Sequence, residues 1–180
     1  MKSNGIFYRL IQFRNALYAR PASDDIERIR SILTPVQMDL FARMQNSEQV
    51  HAITVLEKII AQADYPHQEI DRDLMVAALL HDVGKSLYPL KSWERALIVI
   101  VKALFPAKAK GWGSGPLTMW RKAFVVAEQH PAWGGQLAAQ AGASSRVVEL
   151  IRHHQNLFPT IEVDLDIGLL QRLQAADQES

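Results

Sequence analysis

The chain has 180 residues and contains no cysteine, which excludes disulfide bridges and metal sites built on thiolates. Hydrophobic residues make up 48% and charged residues 22% of the chain, the ordinary composition of a globular domain. No apolar run reaches the ~20 residues that cross a bilayer, and the N-terminus lacks the residue order of a signal peptide. The sequence therefore predicts a soluble, cytoplasmic protein.

The net charge of +1 conceals a basic block in the middle of the chain. Residues 85–122 contain eight Lys or Arg and one acidic residue, Glu94, whereas residues 1–84 contain nine Lys or Arg against eleven Asp or Glu. Such a block indicates either an anionic ligand or surface nearby, or a solvated basic face.

Helical periodicity runs through almost the whole chain, and no segment alternates like a half-buried strand. The first half of the chain predicts a helix through residues 6–17, one after Ser23, one capped by Thr34, one capped by Ser47, and one from about Asp71 to Asp82 closed by Gly84. The second half predicts a very apolar helix in "WERALIVIVKALF", a loop in "PAKAKGWGSGP", and helices over 117–130, 131–141, 144–155 and 165–177, with a break at Pro131. We expect an all-α bundle of about eight or nine helices without significant sheet.

Five of the six histidines occupy distinctive positions: His51 within the fourth predicted helix, and His81, His130, His153 and His154 at or near helix ends, where side chains of separate helices can converge. Only His67, in a polar loop, reads as an ordinary surface residue. Singly, each histidine is more often a core or surface residue than a ligand, but several of them share positions at or near helix ends. Asp82 follows His81 at the end of an apolar helix, where a buried carboxylate needs a partner. Imidazole and carboxylate together suit Fe, Mn, Zn or a similar divalent ion rather than calcium.

The tetrapeptide HDVG at 81–84 resembles the motif of the HDIG-type branch of the HD superfamily of metal-dependent phosphohydrolases. The superfamily pattern is a histidine, an HD pair and a distant aspartate, with two further histidines in members that bind two metals. The chain contains these positions in order: His51, His81, Asp82, His130, His153 or His154, and Asp177. The resemblance implies an HD-type catalytic domain over residues 47–180, with a basic, apolar insert at 86–122, after an N-terminal helical extension at 1–46. Its spacing rule favours His154 over His153 without excluding either.

The resemblance also implies two divalent metal ions, with Fe or Mn expected and Zn, Ni, Co or Mg as alternatives. His51, His81 and Asp177 would hold the first ion, His130 and His154 the second, and Asp82 would bridge both. The implied reaction is hydrolysis of a nucleotide or a small phosphomonoester or phosphodiester, in which the two metals activate a hydroxide. Lys85, one turn further on, would either contact a phosphate oxygen or remain solvated after a helix end. Asp82 and Lys85 are thus the expected catalytic residues, and Lys85 the expected substrate contact.

Two other functions fit the same sequence. The ligand set is also similar to that of di-iron oxygenases of the inositol-oxygenase-like kind, which the ligand spacing does not distinguish. Residues 92–115 combine apolar, basic and tryptophan residues, which is typical either of peripheral contact with an anionic membrane or a partner helix, or of a core helix with a lysine-rich tail. Nucleic acid is a weaker expectation because clustered aromatic residues for base stacking are few.

Overall fold

A computed structural model describes residues 20–62, 70–156 and 166–180 of the chain. The helix predicted over residues 6–17 and the surface position predicted for His67 lie outside the described residues. The described part forms nine α-helices and one 3₁₀-helix and contains no β-strand, which confirms the all-α prediction. The α-helices are α1 (Ser23–Ile32), α2 (Pro35–Arg43), α3 (Asn46–Gln62), α4 (Arg72–Leu80), α5 (Ser92–Leu104), α6 (Pro106–Gly113), α7 (Lys122–Gln140), α8 (Ser145–His153) and α9 (Ile167–Gln178).

Capping side chains define where several helices begin. Thr34 accepts a hydrogen bond from the backbone N–H of Gln37, and the Gln37 side chain accepts one from the N–H of Thr34, with Pro35 in the first turn as predicted. The side chains of Ser144 and Asp166 cap α8 and α9 in the same N-terminal position. Each cap of this kind stabilises a helix by roughly 1 kcal/mol.

Two predicted breaks do not occur. Pro131 lies inside α7, which runs without interruption from Lys122 to Gln140. An interior proline removes a hydrogen bond and costs about 3 kcal/mol, but α7 packs along its length against α8 and the 3₁₀-helix, and this packing outweighs the local penalty. The segment predicted as a loop from residue 106 forms α6, because Pro106 occupies the first helical turn, where the missing N–H has no intrahelical partner to lose.

One large hydrophobic core includes buried residues from α1 to α4 and from α7, α8 and α9. Ile29 of α1 and Phe41 of α2 are fully buried in it, together with Leu56, Leu79 and Leu150 from later helices. A second, smaller cluster around Val126 includes Ile98 and so joins α5 to α7. None of the described helices is both long and apolar enough to cross a bilayer.

The chain turns sharply after α4. That helix ends at Leu80, two residues before the predicted end, and a 3₁₀-helix follows over Val83–Leu87. Gly84 therefore lies inside the 3₁₀-helix rather than at the end of α4. His81 and Asp82 lie in the joint between the two helices, and both are buried.

Candidate metal centre

Six ionisable side chains converge from separate elements of the fold. They form two groups: His51, His81 and Asp177 in the first, and Asp82, His130 and His154 in the second. Within each group the potential ligand atoms all lie within 4.8 Å of one another. The members come from α3, α7, α9 and the ends of α4 and α8, so the fold assembles the groups from positions up to 126 residues apart.

The carboxylate of Asp82 faces both groups. Its Oδ1 atom lies 3.2 Å from Nε2 of His130 and 4.0 Å from Nε2 of His154. Its Oδ2 atom lies 3.7 Å from Nε2 of His81, which belongs to the first group. One carboxylate therefore directs its two oxygens towards two different sets of ligands.

The two groups differ in their access to solvent. In the first, Nε2 of His51 lies 2.8 Å from Oδ1 of Asp177, and their side chains are 30% and 26% exposed. His81 is the third member of this group, with its Nε2 atom 3.6 Å from the same Asp177 oxygen. All three members of the second group are buried. The first group is thus partly open to solvent, whereas the side chains of the second group are enclosed.

Three buried histidines are oriented by their own helices. Nδ1 of His81, His130 and His154 each lies 2.7–2.9 Å from a backbone carbonyl three or four residues earlier, those of Ala78, Val126 and Ile151. A proton on Nδ1 that donates to the carbonyl leaves Nε2 with a free lone pair, which is the arrangement that metal-binding histidines use. The Nε2 atoms of His81 and His154 have no hydrogen-bond partner among the described residues. Leaving such buried atoms unpaired costs about 1–3 kcal/mol each, and a bound metal removes that cost.

The carboxylates are in the state that binds metal. Burial opposes the charge of Asp82, but Lys85 and His81 outweigh it and hold the pKa of this carboxyl well below its usual range. Burial also opposes ionisation of Asp177, but the hydrogen bond with His51 and the nearby ring of His81 outweigh it, so that the pKa of Asp177 is lowered. Both groups therefore carry negative charge at neutral pH.

The buried histidines respond to the same charges. Burial, reinforced by His81 and His130, lowers the pKa of His154 to about 3, so its ring is neutral. Burial alone would lower the pKa of His81, but the nearby carboxylates of Asp82 and Asp177 reverse the shift and raise it. The neutral ring of His154 and the ionised carboxylates are in the form that binds metal, whereas His81, with its raised pKa, must release a proton to bind one. Imidazole and carboxylate ligands of this kind fit a divalent cation of the first transition row.

Gly84 allows the 3₁₀-helix, which follows Asp82, to lie close to α7, which carries His130. A Cβ atom at this position would lie 2.0 Å from the carbonyl oxygen of His130 and 2.7 Å from the backbone nitrogen of Gly134. Only glycine therefore allows the 3₁₀-helix to approach α7 so closely. This approach brings Asp82 against His130, and it explains why a glycine follows the buried His-Asp pair.

The other two predicted site residues occupy different positions. Nζ of Lys85 lies 2.6 Å from Oδ2 of Asp82, so the lysine contacts the carboxylate that joins the two groups. His153 lies outside both groups, with Nε2 3.3 Å from Glu149 and Nδ1 2.9 Å from the side-chain amide of Asn156. Of the two histidines that the sequence left open, His154 is the one that the fold brings to Asp82.

A cavity of about 270 Å³ opens beside His130. Its lining residues are Glu48, Lys85, Leu90, Arg95, Ile98, Lys102, Val126, Ala127, His130 and Gln155. Apolar side chains from α5 and α7 form one part of the wall, and three cationic side chains form another. The cavity therefore offers space for a ligand that is part anion and part apolar.

Glu48 and Gln155 line the cavity but were not predicted as site residues. Glu48 is buried, and its carboxylate lies 2.8 Å from the guanidinium of Arg95. Burial raises the pKa of Glu48 even though Arg95 opposes the shift. The signal for Glu48 was its position three residues before His51, which places both on one side of α3. Gln155, whose amide nitrogen lies 3.4 Å from Nε2 of His130, directly follows the His153-His154 pair.

The comparisons with known proteins agree with this geometry. The HD domain family matches residues 49–179, a range that includes both groups of potential ligands. No curated protein and no solved structure matches the chain significantly. Because the family match covers well over half of the 180 residues, the chain belongs to the HD domain family.

Proposed function

We propose that the protein is a metal-dependent phosphohydrolase that acts on a nucleotide or another small phosphate ester. HD domain proteins are in general metal-dependent hydrolases. The observation that carries the proposal is the position of Asp82, whose two oxygens face the two groups of ligands beside a cavity lined by Lys85, Arg95 and Lys102. Such an arrangement suits a substrate with negatively charged oxygens.

In this proposal each group holds one metal ion, and Fe or Mn fits the mixed nitrogen and oxygen donors. His51, His81 and Asp177 would hold one ion and His130 and His154 the other, and Asp82, whose oxygens face both groups, would serve as a ligand to both. When bound, the two ions supply Lewis-acid chemistry, which polarises the phosphoryl group and lowers the pKa of water. The carbonyl contacts of His81, His130 and His154 fix the orientation of the rings, so that each Nε2 atom would be available to an ion.

The residues of the cavity orient the substrate. Lys85 contacts Asp82 and lines the cavity, so its ammonium group can share its charge between this carboxylate and a phosphate oxygen. Arg95 is held in place by Glu48, and its charge is partly compensated there. Leu90, Ile98 and Val126 form an apolar part of the cavity wall, against which an apolar part of the substrate would lie.

The test begins with the metal content of the freshly purified full-length protein, measured by inductively coupled plasma mass spectrometry. The protein is then loaded with Mn²⁺ or Fe²⁺ and assayed without oxygen against nucleotides, phosphomonoesters and phosphodiesters. We expect bound metal and release of phosphate or of a phosphomonoester product. Metal-loaded protein that hydrolyses nothing in the panel but consumes oxygen in its iron form would contradict the proposal and favour an oxygenase.

A further inference from the structure

Helix α5 buries less of its apolar surface than a helix of a globular core. The only buried residue along its length is a glutamate, Glu94. On the other side, Trp93, Ile100 and Leu104 are 63%, 56% and 66% exposed. An amphipathic helix ordinarily turns its apolar side inwards. In α5 only part of the apolar surface is turned inwards, where Ile98 packs in the cluster around Val126, and a larger part faces solvent.

Exposed apolar side chains are concentrated around this helix. Among the described residues, every exposed large hydrophobic residue except Val36 and Ile167 lies between residues 87 and 120. We call the exposed apolar part of α5 and the residues that follow it the α5 face: Trp93, Val99, Ile100, Leu104, Phe105, Leu117, Met119 and Trp120. Apolar exposure concentrated in one part of a chain marks a contact surface, whereas singly scattered residues do not.

The charge near the α5 face is cationic. Residues 85–122 contain eight basic residues and one acidic residue, and that residue, Glu94, is turned inwards. Four lysines of this segment are exposed and form no ion pair with a carboxylate of the described residues: Lys91, Lys102, Lys108 and Lys110. Lys122, by contrast, lies 3.8 Å from the carboxylate of Glu94. Lys108 lies over the ring of Phe105, 5.4 Å from its centre, so cationic and apolar groups alternate on the same surface.

We propose that the α5 face docks on the surface of an anionic lipid bilayer. Exposed tryptophan, aliphatic and lysine side chains on one helix form the combination that binds the interface between lipid headgroups and acyl chains. Anionic headgroups attract each nearby lysine, and the acyl boundary accepts the apolar side chains. A bilayer therefore satisfies both properties of the face at once.

Charge disfavours two other occupants. A second copy of the chain in a twofold dimer would place the same basic surface against itself. Residues 1–19 contain Lys2, Arg9 and Arg14 and no acidic residue, so they too would add like charge. Neither occupant offers negative charge to the exposed lysines near the α5 face.

Docking would place the cavity of the candidate metal centre close to the bilayer. Ile98 and Lys102 of α5 line that cavity, whereas Ile100 and Leu104 lie on the exposed side of the same helix. The distance across one helix with its side chains is about 10 Å. The inference does not depend on which reaction the metal centre performs.

The test is co-sedimentation of the full-length protein with vesicles of phosphatidylcholine alone and with vesicles that also contain phosphatidylglycerol. We expect binding to the anionic vesicles only, weakened by added salt because the attraction is screened. Ile100→Glu should lower the partition coefficient at least about tenfold, and each of Lys108→Ala and Lys110→Ala about fivefold. Val36→Glu is the matched control, because Val36 is also 56% exposed but lies on α2, and it should bind as the wild type does.

Three results would overturn the proposal. The first is a wild-type protein that binds neither kind of vesicle, and the second is equal loss of binding in Ile100→Glu and Val36→Glu. The third is a dimer, detected by sedimentation velocity without lipid, that Ile100→Glu dissociates, since a second copy would then cover the face. Unchanged melting temperatures of the variants show that each change acts on docking and not on folding, as expected for exposed positions.

Discussion

The candidate metal centre and the α5 face both contradict the usual distribution of residues, in opposite directions. At the centre, His81, Asp82, His130 and His154 are at most 3% exposed, although they are polar or charged. On the α5 face, large apolar side chains are more than 40% exposed. Hydrophobic burial alone predicts neither region. Each region costs free energy in the isolated protein. We therefore interpret both as binding sites, the centre for metal and the α5 face for a partner outside the chain.

The two regions differ in how far the fold compensates that cost. At the centre, Nδ1 of each buried histidine has a carbonyl partner, and Lys85 lies against Asp82. Only specific atoms such as Nε2 of His154 remain without a partner. The α5 face has no such compensation among the described residues. We therefore expect substitutions at the centre to have large effects, and substitutions on the α5 face to have almost none on stability.

The largest effect is expected for Asp82→Ala. The change removes the carboxylate that faces both groups and leaves Lys85 and His81 without their shared negative partner. Metal content, measured by mass spectrometry, should fall to background, and hydrolysis should fall at least roughly 1000-fold. A variant that keeps wild-type metal content would contradict a bridging position for Asp82.

A smaller but sharper comparison is His154→Ala with His153→Ala. The two histidines are neighbours, but His154 lies 4.0 Å from Oδ1 of Asp82, whereas His153 contacts Glu149. His154→Ala should lose about half of the bound metal and reduce hydrolysis about 100-fold or more, and His153→Ala should change either quantity less than threefold. If His153→Ala had the larger effect on metal content, the assignment of His154 would be wrong.

The residues that converge could be predicted from the sequence because their order and their positions at helix ends follow a recognisable pattern. The choice between His153 and His154 could not, since it depends on where α8 ends and how it is rotated against α7. In the structure α8 ends at His153, and His154 follows as its C-cap residue. The contact of Glu48 with Arg95 also depends on tertiary packing, since the two residues lie 47 positions apart.

Predictions from local sequence were wrong or incomplete where tertiary packing decides the structure. Pro131 predicts a helix end, but contacts along α7 keep the helix continuous. The apolar periodicity of residues 92–104 predicts a helix correctly, but periodicity does not state which side faces the protein. In α5 the inward side includes Glu94, Arg95 and Ile98, and the contact of Arg95 with Glu48 is visible only in the fold.

A further comparison concerns two glycines. Gly84→Ala should destabilise the protein by roughly 3 kcal/mol or more, because the added Cβ would collide with the backbone of α7 at His130. Gly111→Ala in α6 is the matched control, since no atom would lie within 4 Å of its Cβ. It should stabilise the protein by roughly 0.5–1 kcal/mol through helix propensity.

Urea unfolding of both glycine variants with a chelator present measures these differences without a contribution from metal. The expected signs are opposite, although the chemical change is the same. A Gly84→Ala variant with wild-type stability would show that the 3₁₀-helix does not lie as close to α7 as we describe.

The smallest effect is expected for Leu104→Ala on the α5 face. Leu104 is 66% exposed, so its truncation should change the free energy of unfolding by less than about 0.5 kcal/mol. The same substitution at the fully buried Leu150 should cost about 2–5 kcal/mol, because it leaves a cavity in the core. Urea unfolding in the absence of lipid compares the two directly. A cost for Leu104→Ala close to that for Leu150→Ala would mean that the α5 face is already covered in the isolated protein. The contrast between the two regions would then disappear, because only the metal centre would still lack its ligand.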